Sequence, residues 1–159
     1  MISKVATKII GERQDKFLIP AEIVANVQAS NRLDHAFLVL TKTRYAKIPV
    51  LDSKQKFKGL LSLAMITDTM LGLNGIDVSR LQQLTVADVM QTDVPTIQIP
   101  YDIEDILHLS VNNPFLVVTD KDGIFMGIVT RREVLKGVNH MVHELDKRYT
   151  ITVKTQKEN

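Results

Sequence analysis

The stretch Phe57-Lys58-Gly59-Leu60-Leu61-Ser62 returns, from residue 57 to residue 125, as Phe125-Met126-Gly127-Ile128-Val129-Thr130. Each copy carries glycine third, aliphatic residues next and a hydroxyl side chain last. Such a run reads as a buried strand ending at a helix N-cap, because Ser and Thr accept from the unpaired N–H groups of a first helical turn. Upstream, Ile48-Pro49-Val50-Leu51-Asp52 matches Leu116-Val117-Val118-Thr119-Asp120 at the same interval of 68 residues. Earlier still, Val24-Ala25-Asn26-Val27-Gln28 is echoed by Val94-Pro95-Thr96-Ile97-Gln98 at an interval of 70. The second copy has therefore lost two residues between helix and strand. An internal repeat decides the fold before any single element does. Here one α/β unit is used twice.

Each copy opens with a short extended segment, Ile23 to Val27 and Val94 to Ile99. Helical spacing follows from about Asn31 to Lys42, with Leu33, Ala36, Phe37 and Leu40 on one face, and from Asp102 to Val111, with Ile103, Ile106, Leu107 and Ser110 likewise. Asp102 stands where a capping acceptor belongs, and Glu104 and Asp105 occupy the first turn, which the helix dipole favours for negative charge. Strands Lys47 to Leu51 and Phe57 to Leu61 are joined by Asp52-Ser53-Lys54. Leu116 to Thr119 and Ile124 to Val129 are joined by Asp120-Lys121-Asp122-Gly123, a hairpin signal. A second helix then starts at Ser62 and at Thr130. The order is β-α-β-β-α, twice.

Between the copies, Leu71-Gly72-Leu73-Asn74-Gly75 stops a helix and turns, and a short helical connector runs from Val78 to Leu84. Residues 1–16 are expected to add an N-terminal helix, residues 17–72 the first module, 85–138 the second, and 139–159 a helix end and tail. After Tyr149 the tail alternates as a strand does and then turns polar, a composition equally suited to disorder. Hydrophobic residues make up 45% and charged residues 24%, with a net charge of +2, which gives no case for a nucleic-acid binder. No cysteine is present, so disulfides and thiolate metal sites are excluded. Met1 to Ile10 lacks the apolar core of a secretion signal, and no apolar run approaches the length of a membrane span. A cytoplasmic protein is expected.

Gly127-Ile128-Val129-Thr130-Arg131-Arg132-Glu133 resembles the signature of the CBS domain, in which a glycine-led strand ends in Thr or Ser and an acid follows three positions later. The resemblance implies two CBS modules packed as a pseudo-twofold Bateman pair. It also implies that Thr130 and Glu133 contact the ribose and phosphate of an adenine nucleotide, although the usual acid is Asp. The first copy departs further, with Met65 where the acid belongs, and Met is a poor hydrogen-bond acceptor. One of two sites is then degenerate. The blocks Val24–Gln28, His35–Thr43, Tyr45–Asp52, Val86–Met90, Asn112-Asn113 and Thr130–Arg132 are similar to the stand-alone cyclic-di-AMP-binding CBS proteins of Gram-positive bacteria (the DarB or CbpB type). By that resemblance the ligand lies between the modules. It contacts Val24, Ala25, Asn26, Val27, Tyr45, Ala46, Lys47, Ile48, Thr130, Arg131, Arg132 and Glu133, with Ile23 standing where a lysine is expected.

The residue chemistry agrees with a dianionic, two-purine ligand. Arg131 and Arg132 carry forked donors suited to phosphate and follow a hydroxyl at a helix start, where free N–H groups favour anions. Tyr45 offers an aromatic wall amid Lys42, Arg44 and Lys47. Taken singly, each has a plainer use: adjacent arginines are commonly solvated, Thr130 caps a helix, and lysines keep a surface soluble. His140 and His143 stand three apart on the last helix without a third ligand, which makes a weak metal site. No nucleophile elbow or phosphate loop is present, so no turnover, cofactor or metal is expected. The resemblance implies a regulator that docks, ligand-free, on a target such as a (p)ppGpp synthetase or pyruvate carboxylase and is released by cyclic di-AMP. A sensor of AMP, ADP or ATP is the alternative, and an empty-cleft dimerisation module a third. A homodimer built on Met65, Ile66, Met70, Leu71, Val134, Leu135 and Val138 is expected.

Overall fold

The computed structural model describes residues 2–153. In chain order the elements are α1 (Lys4–Gly11), β1 (Leu18–Pro20), β2 (Val27–Gln28), α2 (Leu33–Thr43), β3 (Lys47–Leu51), β4 (Phe57–Ser62), α3 (Leu63–Met70), β5 (Leu71–Gly72), β6 (Gly75–Ile76), α4 (Arg80–Gln83), β7 (Thr96–Ile97), α5 (Ile103–Asn112), β8 (Phe115–Thr119), β9 (Phe125–Thr130) and α6 (Arg131–Arg148). The expected order therefore appears twice, as β2-α2-β3-β4-α3 and β7-α5-β8-β9-α6. The opening strands are shorter than expected. Ala21–Ile23 forms a 3-10 turn, and only Val27–Gln28 pairs as strand.

Strand register establishes the repeat. Val27 pairs with Val50 and Ile97 with Val118, both parallel, while Val50 opposes Gly59 and Val118 opposes Gly127. The first strands are thus related by 70 residues and the hairpins by 68. Both hairpins slip register at the same point, after Val50 and after Val118. Of the two residues lost from the second copy, one comes from the end of the first helix and one from the corner after it. Arg44, Tyr45 and Ala46 make that turn in the first copy; Asn113 and Pro114 make it in the second. Arg44 adopts the left-handed conformation with φ of 58°, its amide donating to Leu40 O at 2.9 Å.

Each module borrows its edge from across the repeat boundary. β1 pairs antiparallel with β9, giving the sheet order β1-β9-β8-β7, and α1 packs against α6 and α5. In return, residues 84–91 join the first module. Leu33 N donates to Leu84 O, Val86 N to Asn31 O, and Leu60 and Gln91 exchange bonds at 2.9 and 2.8 Å. Residues 18–20, at the start of the expected 17–72 module, thus lie in the second sheet, and Val86, at the start of the expected 85–138 module, lies in the first core. Both exchanges need a glycine. A Cβ on Gly127 would strike the Ile19 carbonyl, and one on Gly59 the Gln91 carbonyl.

Three apolar clusters follow. One fills the first module around Leu33, Leu40, Ile48, Val50, Leu61 and Ile66; a second fills the other module around Ile10, Phe17, Ile106, Leu116 and Val129. A third, with Val24, Leu51, Leu60, Val117 and Phe125, joins the modules. At about 1.5–3 kcal/mol for each fully buried aliphatic side chain, this junction holds the pair as one unit. Of the expected dimer residues, Ile66, Met70 and Val134 are buried in module cores, and Met65 and Val138 pack on them. Leu71 and Leu135 are exposed. Residues 150–153 form no strand, and the remainder of the tail lies outside the described residues. No helix among the described residues is long and apolar enough to cross a membrane.

Candidate functional site

The strand ends β3 and β9, the start of α6 and the corner 44–46 converge on one cleft between the modules. It encloses about 370 Å³ and is lined by Ile19, Ile23, Val24, Ala25, Arg44, Tyr45, Ala46, Lys47, Pro49, Pro114, Phe115, Ile128 and Thr130. Its walls are mainly apolar, it contains two cations, and no carboxylate lines it. Such a lining suits a flat, largely apolar group that carries negative charge. Tyr45 is about half exposed, at 49%, so its ring is available to a ligand.

Several expected residues meet here: Val24, Ala25, Tyr45, Ala46, Lys47 and Thr130. Others do not line the cleft. Val27 and Ile48 point into the first core at 3% and 0% exposure, as strand alternation requires when their neighbours face outward. Asn26 sits beside the cleft and donates through Nδ2 to Val24 O at 3.2 Å. The Arg131 guanidinium turns back on the end of α5, donating to Ser110 O at 2.7 Å and Val111 O at 3.2 Å. Glu133 accepts from Lys136 at 2.6 Å, and Arg132 borders a separate groove with Leu135 and Asn139.

The start of α6 is nonetheless prepared for an anion. Thr130 Oγ1 accepts from the Glu133 amide at 3.3 Å, and the Arg131 amide donates to Pro114 O at 2.9 Å. These first three amides lack intrahelical partners by position, and among the described residues that of Arg132 has no cap or loop acceptor either. Thr130 therefore both caps α6 and lines the cleft.

Ile19, Pro49, Pro114, Phe115 and Ile128 line the cleft outside the expected set. Pro114 and Phe115 are the counterparts of Ala46 and Lys47 at the 68-residue interval, so the repeat itself carried that signal. Ile19 enters through the borrowed strand, which nothing in its local sequence announces. The pseudo-symmetric position differs in chemistry. There Lys47 and Gln91 replace Phe115 and Ile19, and Lys47 Nζ donates to Gln91 Oε1 at 3.2 Å. An apolar wall on one side is a polar bridge on the other. His140 and His143 line a groove near Arg13 and Lys136, and no cluster of three or more His, Cys, Asp or Glu side chains that could hold a metal occurs among the described residues.

Comparison with known proteins bears on the family. The family described as CBS domain matches residues 86–140. The cyclic di-AMP receptor B of Bacillus subtilis is 41% identical over 147 residues, covering 92% of this chain and all of that protein. The Listeria monocytogenes CbpB protein, solved in complex with c-di-AMP, is 53% identical with a TM-score of 0.77, covering 83% of this chain and 98% of its own. CbpB from Streptococcus agalactiae is 29% identical with a TM-score of 0.84, and 96% of each chain is covered. The chain belongs to the CBS-domain family, in the group that includes cyclic di-AMP receptor B.

Proposed function

We propose that this protein binds cyclic di-AMP in the cleft between its modules and acts as a regulator without turnover. The observation that carries the reading is the cleft itself: an apolar slot with Tyr45 at its side, Arg44 and Lys47 in its lining, no carboxylate, and the start of α6 at one end. Relatives named as cyclic di-AMP receptors, one of them solved with that ligand, support the choice of nucleotide. In this reading Ile23, Val24 and Ala25 face one base, and Tyr45 and Ala46 flank the ligand. Thr130 and the Arg132 amide and guanidinium receive phosphate. Arg131 reaches the ligand only by leaving the end of α5. The polar Lys47–Gln91 bridge leaves one site per chain.

The regulatory half of the proposal is that the ligand-free protein, as a homodimer in the cytoplasm, docks on a target enzyme such as a (p)ppGpp synthetase or pyruvate carboxylase. Cyclic di-AMP releases it. Only a ligand that binds the free form more tightly than the docked form can do this.

Calorimetric titration with cyclic di-AMP, cyclic di-GMP, AMP and ATP tests the reading. Cyclic di-AMP alone should bind, near one per chain. Tyr45→Ala should weaken it by roughly 5- to 150-fold, the range that corresponds to about 1–3 kcal/mol of base stacking. Preference for AMP or ATP would make the protein an energy sensor instead, and no binding by any of the four would leave a scaffold.

A further inference from the structure

Helix α6 is longer than its role in the repeat requires. Its counterpart α3 spans Leu63–Met70, whereas α6 runs from Arg131 to Arg148. The extension is held in place: Gly137 packs against Phe17, and Arg148 donates to Glu12 at 2.8 Å. Two grooves of about 450 and 370 Å³ run along it and share Lys136 and Asn139, so they form one surface. Arg132 stands at the end nearest the cleft. Arg13, Lys136, His140, His143 and Lys147 follow. From Arg132 to Lys147 the helix covers about 22 Å.

The repeat supplies an internal control for this surface. At the 68-residue interval, Ala64 corresponds to Arg132 and Asp68 to Lys136, so the first module lacks the cationic pair. We infer that this face of α6 docks a carboxylate-rich surface of a partner protein. The inference rests on the regulatory reading above and supplies its docking site. Charge complementarity selects an acidic occupant. Two features favour protein over a polyphosphate. Leu135 lies exposed in the groove beside Arg132 and Lys136, giving an apolar spot that a protein surface covers. Glu133, which pairs with Lys136, and Glu144, which pairs with Lys147 and Arg148, lie on the same helix and repel phosphate.

Arg132 belongs both to this surface and to the proposed ligand contacts. A nucleotide that engages Arg132 removes the docking surface's first cation. Ligand and partner then oppose each other without any large conformational change.

The test uses a fluorescein-labelled fifteen-residue peptide of alternating Glu and Leu, read by anisotropy, with heparin and anionic phospholipid vesicles in parallel arms. The peptide should bind in a salt-sensitive manner, and saturating cyclic di-AMP should weaken it several-fold. Lys136→Glu/Lys147→Glu should weaken it at least 10-fold. Asn139→Glu, which adds charge mid-groove and removes no ion pair, should weaken it several-fold. Unchanged peptide binding in both variants overturns the inference, as does stronger binding to heparin or vesicles than to peptide. Calorimetry of the same variants with cyclic di-AMP separates the two readings. Retained nucleotide binding with no peptide binding sinks the docking surface alone, whereas absence of nucleotide binding in the unmodified protein sinks the reading beneath it.

Discussion

The amide of Phe57 donates to the Gly123 carbonyl at 3.0 Å across the module boundary, and its repeat counterpart Phe125 returns the bond to Gln55 at 2.9 Å. Both donors and both acceptors are related by 68 residues, so the two bonds are one contact seen from either side of a pseudo-twofold axis. Both acceptors also share left-handed backbone, φ of 63° at Gln55 and 82° at Gly123. The symmetry of the pair is thus carried in main-chain geometry even where side chains have diverged.

That shared conformation makes a prediction with a sign. Left-handed backbone costs a non-glycine residue about 1–2 kcal/mol, and glycine's greater unfolded freedom offsets about 0.5–1 of it. Gln55→Gly should therefore stabilise the protein by up to about 1 kcal/mol, and Gly123→Gln should destabilise it by a similar amount. Urea denaturation of the two variants measures both. A loss of stability in Gln55→Gly would mean that the glutamine side chain contributes more than its backbone costs.

Gly127→Ala should be the more damaging glycine change. Its φ of 141° disfavours any side chain by about 1–3 kcal/mol, and the new methyl would also meet the Ile19 carbonyl. Relief requires β1 to leave β9. The expected result is a lower urea midpoint together with faster hydrogen exchange at residues 18–20, while the first module's amides keep their protection.

The repeat, its two intervals and both helix caps were legible because they rest on local chemistry: hydroxyls at Ser62 and Thr130, glycines at 59 and 127, and apolar periodicity between. The cap at Ser62 accepts from Met65 N at 3.1 Å, as its position implied. The exchange of edges was not legible. Leu18–Pro20 has no local feature that selects β9 over β4, and the choice is made by tertiary packing of α1 on α6. Among site residues, alternation along β3 separates Lys47, which faces the cleft, from Ile48, which does not. The resemblance named both because it marks positions rather than side-chain directions. Arg131 lies away from the cleft for a different reason. A guanidinium beside a helix C-terminus has carbonyls within reach, and sequence spacing does not reveal that the end of α5 lies there.

Acid should loosen the terminal helices first. The Lys147 hydrogen bond, then that of Arg148, holds the Glu144 carboxyl below the usual 4.5. A carboxylate with a depressed folded-state value adds stability above its unfolded value and loses it as pH falls through the folded one. The contribution is thus present at neutral pH and fades below about 4.5. Thermal melts at pH 7 and pH 3 should show a smaller pH dependence in Glu144→Gln than in the unmodified protein. An unchanged pH dependence would place the acid-sensitive contacts elsewhere.

Arg131 and Arg132 are adjacent in sequence, and their side chains have different surroundings. The guanidinium of Arg131 completes the end of α5, where cations oppose the helix dipole and satisfy the last carbonyls. Its bonds are partly exposed, so Arg131→Met should cost about 1 kcal/mol rather than the 1.5–3 of a buried charged hydrogen bond. Among the described residues Arg132 makes no side-chain hydrogen bond or ion pair, and Arg132→Met should leave stability within about 0.5 kcal/mol. Nucleotide binding should show the opposite order, with the larger loss in Arg132→Met. Thermal melts and calorimetry on the two proteins give both readings. If Arg131→Met instead abolished binding while leaving stability intact, its guanidinium would have to exchange the Ser110 and Val111 carbonyls for phosphate. The end of α5, with Val111 exposed beside it, would then be the element that responds to the ligand.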